Sequence, residues 1–426
     1  MAGETAGMLT KNIQITKAET DETKASFWQL GHLPTLFGAF LCFCVCSMCW
    51  LLIGGLGSHI AAEFKLSPAQ KGLLTALPLL GGAVLRLPFG WLSDTIGAKR
   101  TGVIVLGLTA LPVLMGWLWA NSFASLLVVG FLLGVAGASF VVALPMASRW
   151  YPPRFQGFAM GLAGLGLIGT LVTTFFAPQL AERVGWHGVF GYALIPLAVV
   201  TVLFVVFTKD AAAAARKQSL SDFFEVLWER DMILFSLFYG VTFGGFVGFA
   251  SFLSILLGDQ YGLTKVRAGE LAALGVMAGS LLRPLGGLLA DRIGGIRMLN
   301  ILFGIVALLA MGVAQLPALP VAVGLFVLAM ACLGLGNGSV FQLMPHRYGT
   351  RVGVAAGILG AAGSFGGFFL PTLLGWLRQV SGSYATGLAM LAGLAVIALV
   401  ILSVVQTEWV GVWIGKHGRV KEANAV

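Results

Sequence analysis

Apolar segments of about twenty residues recur along the whole chain, and no other feature restricts its fold as much. Of its 426 residues, 58% are hydrophobic and only 10% are charged, whereas a soluble globular protein carries about 25% charged residues. Each segment is long enough to cross the ~30 Å hydrocarbon core of a bilayer as a helix. The sequence therefore predicts an all-α membrane protein with twelve spans at 34–60, 69–92, 99–120, 123–148, 154–181, 187–208, 231–257, 266–290, 297–315, 320–345, 352–378 and 384–407.

A polar connector at 209–230 separates the sixth span from the seventh. We therefore predict two six-helix bundles, at 31–208 and 231–408, with tails at 1–30 and 409–426. Most of the 26 lysines and arginines fall in the tails and in the even-numbered loops. Cytoplasmic loops carry such an excess of positive charge, which predicts a multi-pass protein of the inner (cytoplasmic) membrane with both termini in the cytoplasm. The net charge of +9 reflects this topology, so we expect the lipid bilayer, and no nucleic acid, as a partner.

Two arginines lie inside otherwise apolar segments, at matching places in the two halves. Arg86 and Arg283 are 197 positions apart, and each precedes by eight residues an aspartate, Asp94 or Asp291, at the expected membrane edge. Eight helical residues span ~12 Å, so both guanidinium groups are expected near the membrane midplane. A charge there is costly and marks a functional site; the alternative, in which the side chains extend to the membrane surface, requires a long reach. The pair predicts an anion-binding site between two related halves.

A motif of the form G-x-x-x-D-x-x-G-x-[KR]-[KR] follows the first arginine, and a close variant follows the second. Its glycines permit a tight turn and a close approach of helices. Its aspartate can cap a neighbouring helix or pair with a basic residue, in an arrangement that breaks when the halves move. We predict a conformational switch formed by Gly90, Asp94, Gly97, Lys99 and Arg100 in the first half and by Gly287, Asp291, Arg292 and Gly294 in the second.

Glycines recur at steps of three and four in the fifth and eleventh spans. These spans follow a second repeat, at an offset of 200, between the fourth and tenth spans. Small residues at such spacings let helices pack backbone to backbone, as a sliding interface requires. The glycines concerned are Gly157, Gly161, Gly164, Gly166 and Gly169, and Gly353, Gly357, Gly360, Gly363, Gly366 and Gly367.

With these motifs the chain resembles the major facilitator superfamily over nearly its whole length, and within it the assimilatory bacterial type of the nitrate/nitrite porter family. The resemblance to that family is carried by GVAGASFVVALPMASRWYPP, VTFGGFVGFASF, GLGNGSVFQLMPHR and GAAGSFGGFFLPTLLG. It implies two pseudo-symmetric six-helix bundles in the major facilitator fold, which face the two sides of the membrane in turn. It also implies secondary active transport of nitrate and/or nitrite.

The same resemblance implies a site in which two arginines clamp the anion between aromatic rings. The matching residues are Arg86, Arg283, Phe140 and Phe243, with Tyr239 as a hydroxyl donor. Nitrate and nitrite are flat anions, and a planar, permanently charged guanidinium offers paired donors that match two of their oxygens. The polar neighbours expected beside this cluster are Ser139, Asn337 and Gln342.

The sequence leaves two coupling mechanisms open. All 17 acidic residues fall in tails, loops or span ends, so no buried carboxylate can be nominated as a proton carrier, and this favours exchange of nitrate for nitrite. The resemblance to the assimilatory type favours proton symport instead. Leu167 and Cys44 stand where relatives often carry Asn and Asp, so we expect a more apolar centre with altered affinity, selectivity or coupling.

Two other functions fit part of these features. A transporter of another small anion, such as an organic-anion exchanger, would need a roomier cavity than Phe140, Phe243 and Tyr239 suggest. A nitrate sensor would bind the anion without carrying it. An enzyme is not expected, because the sequence has no P-loop and no nucleophile-and-base constellation. Four of the five cysteines crowd into the first span, where apolar packing explains them better than a metal site does. We predict a monomer without cofactor or metal.

Overall fold

Helices make up nearly all of the chain in this computed structural model, which describes residues 27–211, 220–410 and 412–413. Eleven of the described helices are long and apolar enough to cross a bilayer, and the longest, Phe155–Phe207, contains two spans. The break between these two lies at Gly185, whose φ of 73° and ψ of 160° are not helical. The eleven helices, with the longest divided at Gly185, confirm the twelve predicted spans. Helices are expected here because in a bilayer a helix satisfies every backbone N–H and C=O within its own segment.

Six helices form each half of the protein. The first half consists of α1 (Leu33–Glu63), α2 (Pro68–Ile96), α3 (Ala98–Leu118), α4 (Phe123–Ser148), α5 (153–184) and α6 (186–207). The second half consists of α7 (Arg230–Tyr261), α8 (Lys265–Ile293), α9 (Gly295–Ala314), α10 (Leu319–Tyr348), α11 (Val352–Ser381) and α12 (Ala385–Trp409).

The predicted connector and tails are described only in part. Within the connector, Leu220–Trp228 is a separate short helix, whereas 212–219 lie outside the described residues. The same holds for 1–26 and 414–426. The last part of the predicted amino-terminal tail is packed rather than free, because Phe27 is buried and its ring stacks on Tyr151 at a centroid distance of 4.3 Å.

Paired glycines bring the arginine helix of each half against its neighbour. A Cβ on Gly134 of α4 would collide with the backbone of Gly81 on α2, and a Cβ on Gly334 of α10 would collide with the backbone of Gly279 on α8. Only glycine permits such an approach. The duplicated sequence therefore builds two similar helix pairs, α2–α4 in the first half and α8–α10 in the second.

The turns after α2 and α8 also require glycine. Gly97 has φ 98° and Gly294 has φ 95°, a region of backbone conformation that residues with a Cβ rarely adopt. In the first turn, the backbone N–H of Lys99 donates to Asp210 Oδ1 at 2.8 Å, so a carboxylate caps the start of α3. The two motif glycines thus end the arginine helices and reverse the chain.

The two halves are joined tightly at one end of the molecule, which we name the sealed end; it is the end where α2 and α8 begin. Here a Cβ on Gly72 would meet the carbonyl of Pro371 in the other half, and Gly375 approaches Pro68 in the same way. Ser251 Oγ donates to the carbonyl of Thr75 at 2.7 Å. These contacts leave no room between α2 and α11 at this level.

At the opposite end, which we name the open end, the same interface is looser. Positions Gly157, Gly161 and Gly357, near the starts of α5 and α11, face open space. Further along the same stripes the packing is close, with Gly169 against the carbonyl of Cys44 and Gly366 against Gly240. The glycine stripes of α5 and α11 thus pass from open space to close contact along the molecule.

Candidate anion-binding site

The two predicted arginines lie close together in the interior. Arg86 is 1% and Arg283 is 9% exposed. Arg86 donates from Nε to the carbonyl of Gly137 at 3.0 Å, and from Nη1 to the carbonyl of Gly360 on α11 in the other half. Arg283 donates from Nη2 to the hydroxyl of Tyr239 at 3.2 Å. Both charges are therefore held by neutral oxygen atoms.

Aromatic rings fill the space around the guanidinium groups. The Cζ atoms of Arg86 and Arg283 lie 5.1 and 5.7 Å from the ring centroid of Phe140, and both lie 5.6 Å from that of Phe243. The ring of Tyr239 stacks on Phe243 at 5.0 Å with an interplanar angle of 3°. Ring faces attract cations, so they offset part of the cost of burying two positive charges.

Two further aromatic residues that the sequence reasoning missed belong to this cluster. Trp50 lies 5.2 Å from Cζ of Arg86, and Phe341 lies 5.5 Å from Cζ of Arg283. The internal repeat pairs Phe140 with Val340, so it points one residue short of Phe341. For Trp50 no comparable sequence signal exists, because its place depends on Gly82 and Gly137, which pack against its ring.

Each arginine keeps one buried N–H group without an acceptor. These groups are Nη2 of Arg86 and Nη1 of Arg283. Among the described residues no carboxylate forms an ion pair with either arginine; the acidic side chains pair elsewhere. A buried donor without a partner is costly, and a buried unpaired charge is more so. The arrangement is therefore suited to a small anion that accepts from both guanidinium groups.

Local irregularities in three helices position the rings. Trp50 is the last residue before α1 is interrupted at Leu51, and Phe140 starts the second segment of α4 after a break at 138–139. Phe243 lies in a π-helical turn, Gly240–Gly244, within α7. Such turns shift the following side chains around the helix axis and are frequent at functional sites.

The three other predicted polar neighbours, Asn337, Ser139 and Gln342, differ from one another in their surroundings. Asn337 is 1% exposed, lies one turn before Phe341 on α10, and has no partner for either amide atom. Ser139 donates to the carbonyl of Ala136 at 2.7 Å. The Oε1 atom of Gln342 lies beside Gly295, at the turn between α8 and α9. In this conformation the hydroxyl of Ser139 is thus bonded within its own helix, whereas the amide oxygen of Gln342 is buried beside Gly295 without a hydrogen-bond partner.

The two copies of the loop motif are not used equally. Asp94 accepts from Arg149 Nη2 at 2.6 Å. At the matching place in the second half, Arg347 bonds to Asp231 and lies 3.7 Å from Glu229, and no ion pair of Asp291 is present in the described part of the chain. Each of these pairs lies at the open end, and none of them joins one half to the other.

Cys44 and Leu167, the two departures from the resemblance, lie near each other. Leu167 is 1% exposed in a 3₁₀ turn of α5, Leu165–Ile168. A Cβ on Gly166 in that turn would lie 2.9 Å from the backbone nitrogen of Cys44 on α1. All five cysteines are free, and no group of metal-ligating side chains occurs among the described residues.

Comparison with known proteins places the chain among transporters. A model of the Major Facilitator Superfamily matches residues 38–371. The Nitrite extrusion protein of Bacillus subtilis (strain 168) is 35% identical over 357 residues, which are 83% of this chain and 90% of that protein. The Probable nitrate/nitrite antiporter NarK1 of Thermus thermophilus is 32% identical over 415 residues, covering 88% of this chain and 93% of that protein.

Solved structures of low sequence identity share the fold. The crystal structure of a D-xylose-proton symporter superimposes with a TM-score of 0.68 at 14% identity, covering 87% of this chain and 96% of that chain. The human organic anion transporter MFSD10 gives a TM-score of 0.67 at 15% identity, covering 87% and 99%. The fold and the family match together define the chain as a membrane transporter. The chain belongs to the major facilitator superfamily and, within it, to the nitrate/nitrite porter family.

Proposed function

We propose that this protein carries nitrate and nitrite across the membrane by alternating access, with the anion held between Arg86 and Arg283. The observation that carries the proposal is the pair of buried guanidinium groups, each with an unpaired N–H group and neither with a carboxylate partner among the described residues. The curated relatives that match most of the chain are named as nitrate or nitrite transporters. We expect no catalysis, cofactor or metal in this process.

The chemistry of the site favours a small, flat anion. Paired N–H groups on a planar guanidinium match two oxygens of a planar anion. The rings of Phe140 and Phe243 lie next to both guanidinium groups. An anion that binds between the two rings must therefore be flat. A ring face does not attract negative charge; its part is to exclude water and select for shape.

Exchange of one anion for the other is the coupling that the electrostatics favour. Between its two open conformations the carrier passes through a state that is closed to both sides. With an empty site this state buries two unpaired positive charges, which is costly, and a bound anion offsets part of that cost. The described acidic residues lie at helix ends or in loops, as Glu63, Asp94 and Asp259 do. Proton symport, the alternative coupling, requires a proton carrier of another kind.

We place both termini in the cytoplasm, and the protein in the inner membrane as a monomer. The excess of lysine and arginine in the tails and even-numbered loops supports this orientation. It makes the sealed end, where α2 and α8 begin, the outer end. The open end then faces the cytoplasm, so this conformation is inward-facing.

Uptake of labelled nitrate into liposomes that contain the purified protein tests the function. The variables are nitrite inside the vesicles and a proton gradient across them. Uptake that needs internal nitrite and is unaffected by the gradient supports exchange; uptake driven by the gradient alone contradicts it. Binding of nitrate without uptake under any condition would indicate a sensor, and uptake of a different small anion alone would reassign the substrate.

A further inference from the structure

One salt bridge joins the two halves at the sealed end. Nζ of Lys71 on α2 lies 2.8 Å from both carboxylate oxygens of Asp259 on α7. Every other ion pair among the described residues lies within one half. The hydroxyl of Tyr384 also donates to Asp259 at 3.1 Å. This second bond helps to hold the carboxylate in place.

A cavity surrounds this bridge. It has a volume of about 260 Å³ and is lined from both halves, by Ser58 and Lys71 of the first and by Asp259 and Lys265 of the second. A water molecule takes up about 30 Å³ of liquid, so the cavity has room for a small anion with some of its hydration shell. The lining carries two positive charges and one negative charge.

The ammonium charge of Lys265 is not paired with a carboxylate of the described residues. Lys265 begins α8. Helix α2 begins beside the same cavity, at Pro68. The amino ends of helices favour anions, so both helix ends add to the positive potential of the two lysines.

We propose that this cavity is an outer anion subsite, in which Lys71 and Lys265 capture nitrate or nitrite, and that Asp259 takes the place of the anion on Lys71 when the outer end closes. The proposal rests on the proposed function and topology. When the halves part at this end, Lys71 loses Asp259 and would be left without a partner. An incoming anion replaces the carboxylate, and closure reverses the exchange.

The chemistry of the two sites divides the work between them. The lysine ammonium is a compact, strongly hydrated charge, whereas guanidinium offers a fixed planar fork. The lysines therefore suit capture and release of a partly hydrated ion, and positive charge at a cleft mouth raises the rate of anion entry. The arginine pair suits selective binding after the water has been removed.

Two substitutions separate an anion subsite from a simple latch. Asp259→Asn and Lys71→Gln both break the bridge, so both should open the outer end. They should change anion capture in opposite directions: the external nitrate concentration for half-maximal exchange should fall about three- to fivefold in Asp259→Asn and rise by a similar factor in Lys71→Gln. Lys265→Gln, which leaves the bridge intact, should raise it as well.

Opening is measured separately through Ser58, which lines the cavity. In a Ser58→Cys background, a membrane-impermeant maleimide applied from outside should label faster in both bridge variants and at the unchanged rate in Lys265→Gln. The parent protein, with its native cysteines, gives the blank. Melting temperatures establish that each variant is folded.

The proposal is contradicted if the half-saturation values of Asp259→Asn and Lys71→Gln shift in the same direction or do not shift. Either result would show that the pair is a latch without an anion subsite. That result differs from a failure of the proposed function, in which the unsubstituted protein itself would exchange no nitrate. The assays are run in liposomes with labelled nitrate at constant ionic strength, because surface charge effects fall as salt rises.

Discussion

At the residue scale, the notable feature is a pair of buried guanidinium groups that the protein compensates without carboxylates. Carbonyl oxygens of Gly137 and Gly360 accept from Arg86, and the Tyr239 hydroxyl accepts from Arg283. A carboxylate at either place would neutralise the charge permanently and compete with an anionic substrate. Neutral acceptors reduce the cost of burial while leaving the positive charge available.

Replacing Arg86 or Arg283 by lysine should nearly abolish transport. Lysine keeps the charge but loses the planar fork and, at Arg86, the Nε contact to Gly137. Each hydrogen bond to a charged group contributes about 1.5–3 kcal/mol, so we expect the initial rate of nitrate exchange to fall about 10- to 100-fold. Arg230→Lys, an exposed arginine at the start of α7, is the matched control and should retain most activity. Unchanged exchange in Arg86→Lys would remove that residue from the site.

Tyr239→Phe should weaken anion binding without disturbing the ring cluster. The substitution removes the hydroxyl that positions Arg283 Nη2 at 3.2 Å and that the resemblance assigns as a donor to the anion, but it keeps the ring stacked on Phe243. A net loss of about 1–1.5 kcal/mol corresponds to a nitrate Kd that is roughly five- to tenfold higher, measured by calorimetry in detergent. If the Kd stays the same while Tyr239→Ala abolishes binding, only the ring of Tyr239 contributes.

At the scale of helices, the glycine stripes have two distinct tasks. Gly169 and Gly366 pack against backbone atoms of the neighbouring helix, whereas Gly161 and Gly357 face open space. The sequence shows one continuous pattern, because both tasks exclude a large side chain. Which glycines are in contact depends on how the helices splay, and this is set by the whole interface.

Alanine substitution should separate these tasks. A methyl group at position 169 would collide with the carbonyl of Cys44, so Gly169→Ala should cost about 1–3 kcal/mol through overpacking and lower the melting temperature. Gly161→Ala meets no atoms here and gains about 1 kcal/mol of helix propensity, so its melting temperature should stay the same or rise. If position 161 closes against another helix during transport, its exchange rate should fall while the protein stays folded.

A lower melting temperature in Gly161→Ala, or an unchanged one in Gly169→Ala, would contradict the packing described for α5. Circular dichroism or fluorescence melting in detergent measures both variants under the same conditions. The comparison is internal, because both positions lie on one helix.

At the scale of the whole molecule, the two halves touch at the sealed end and at the arginine level but leave space at the open end. The bridge between Lys71 and Asp259 and the hydrogen bond of Ser251 to Thr75 cross the interface at the sealed end. The ion pair of Asp94 with Arg149 stays within one half at the open end. This asymmetry is what a carrier with one side open requires.

Cysteine labelling should reproduce this asymmetry. Gly357→Cys faces open space and should react with a hydrophilic maleimide from the cytoplasmic side, in inside-out vesicles. Ser251→Cys is the matched control: Ser251 is 0% exposed, so it should be unreactive from either side in the absence of substrate. Equal reactivity of the two cysteines, or labelling of Gly357→Cys only from outside, would overturn the conformation or the orientation proposed here.

Much of this protein follows from the sequence alone. Local hydropathy and an internal repeat predict the twelve spans, the two halves and the two buried arginines. The spans are helices because a helix satisfies its own backbone hydrogen-bonding groups inside the bilayer. Gly97 and Gly294 mark the turns after α2 and α8 because positive φ is a local demand on one residue.

The tertiary structure alone decided the rest. Trp50 and Ser139 lie at breaks in α1 and α4, and such breaks rotate side chains by amounts that periodicity does not encode. Phe341 and Gln342 lie on the continuous helix α10, so their surroundings depend on how that helix packs. The bond from Arg86 to Gly360 links residues 274 positions apart. Which end is sealed depends on the balance of contacts between whole halves, and no segment of the sequence carries that balance by itself.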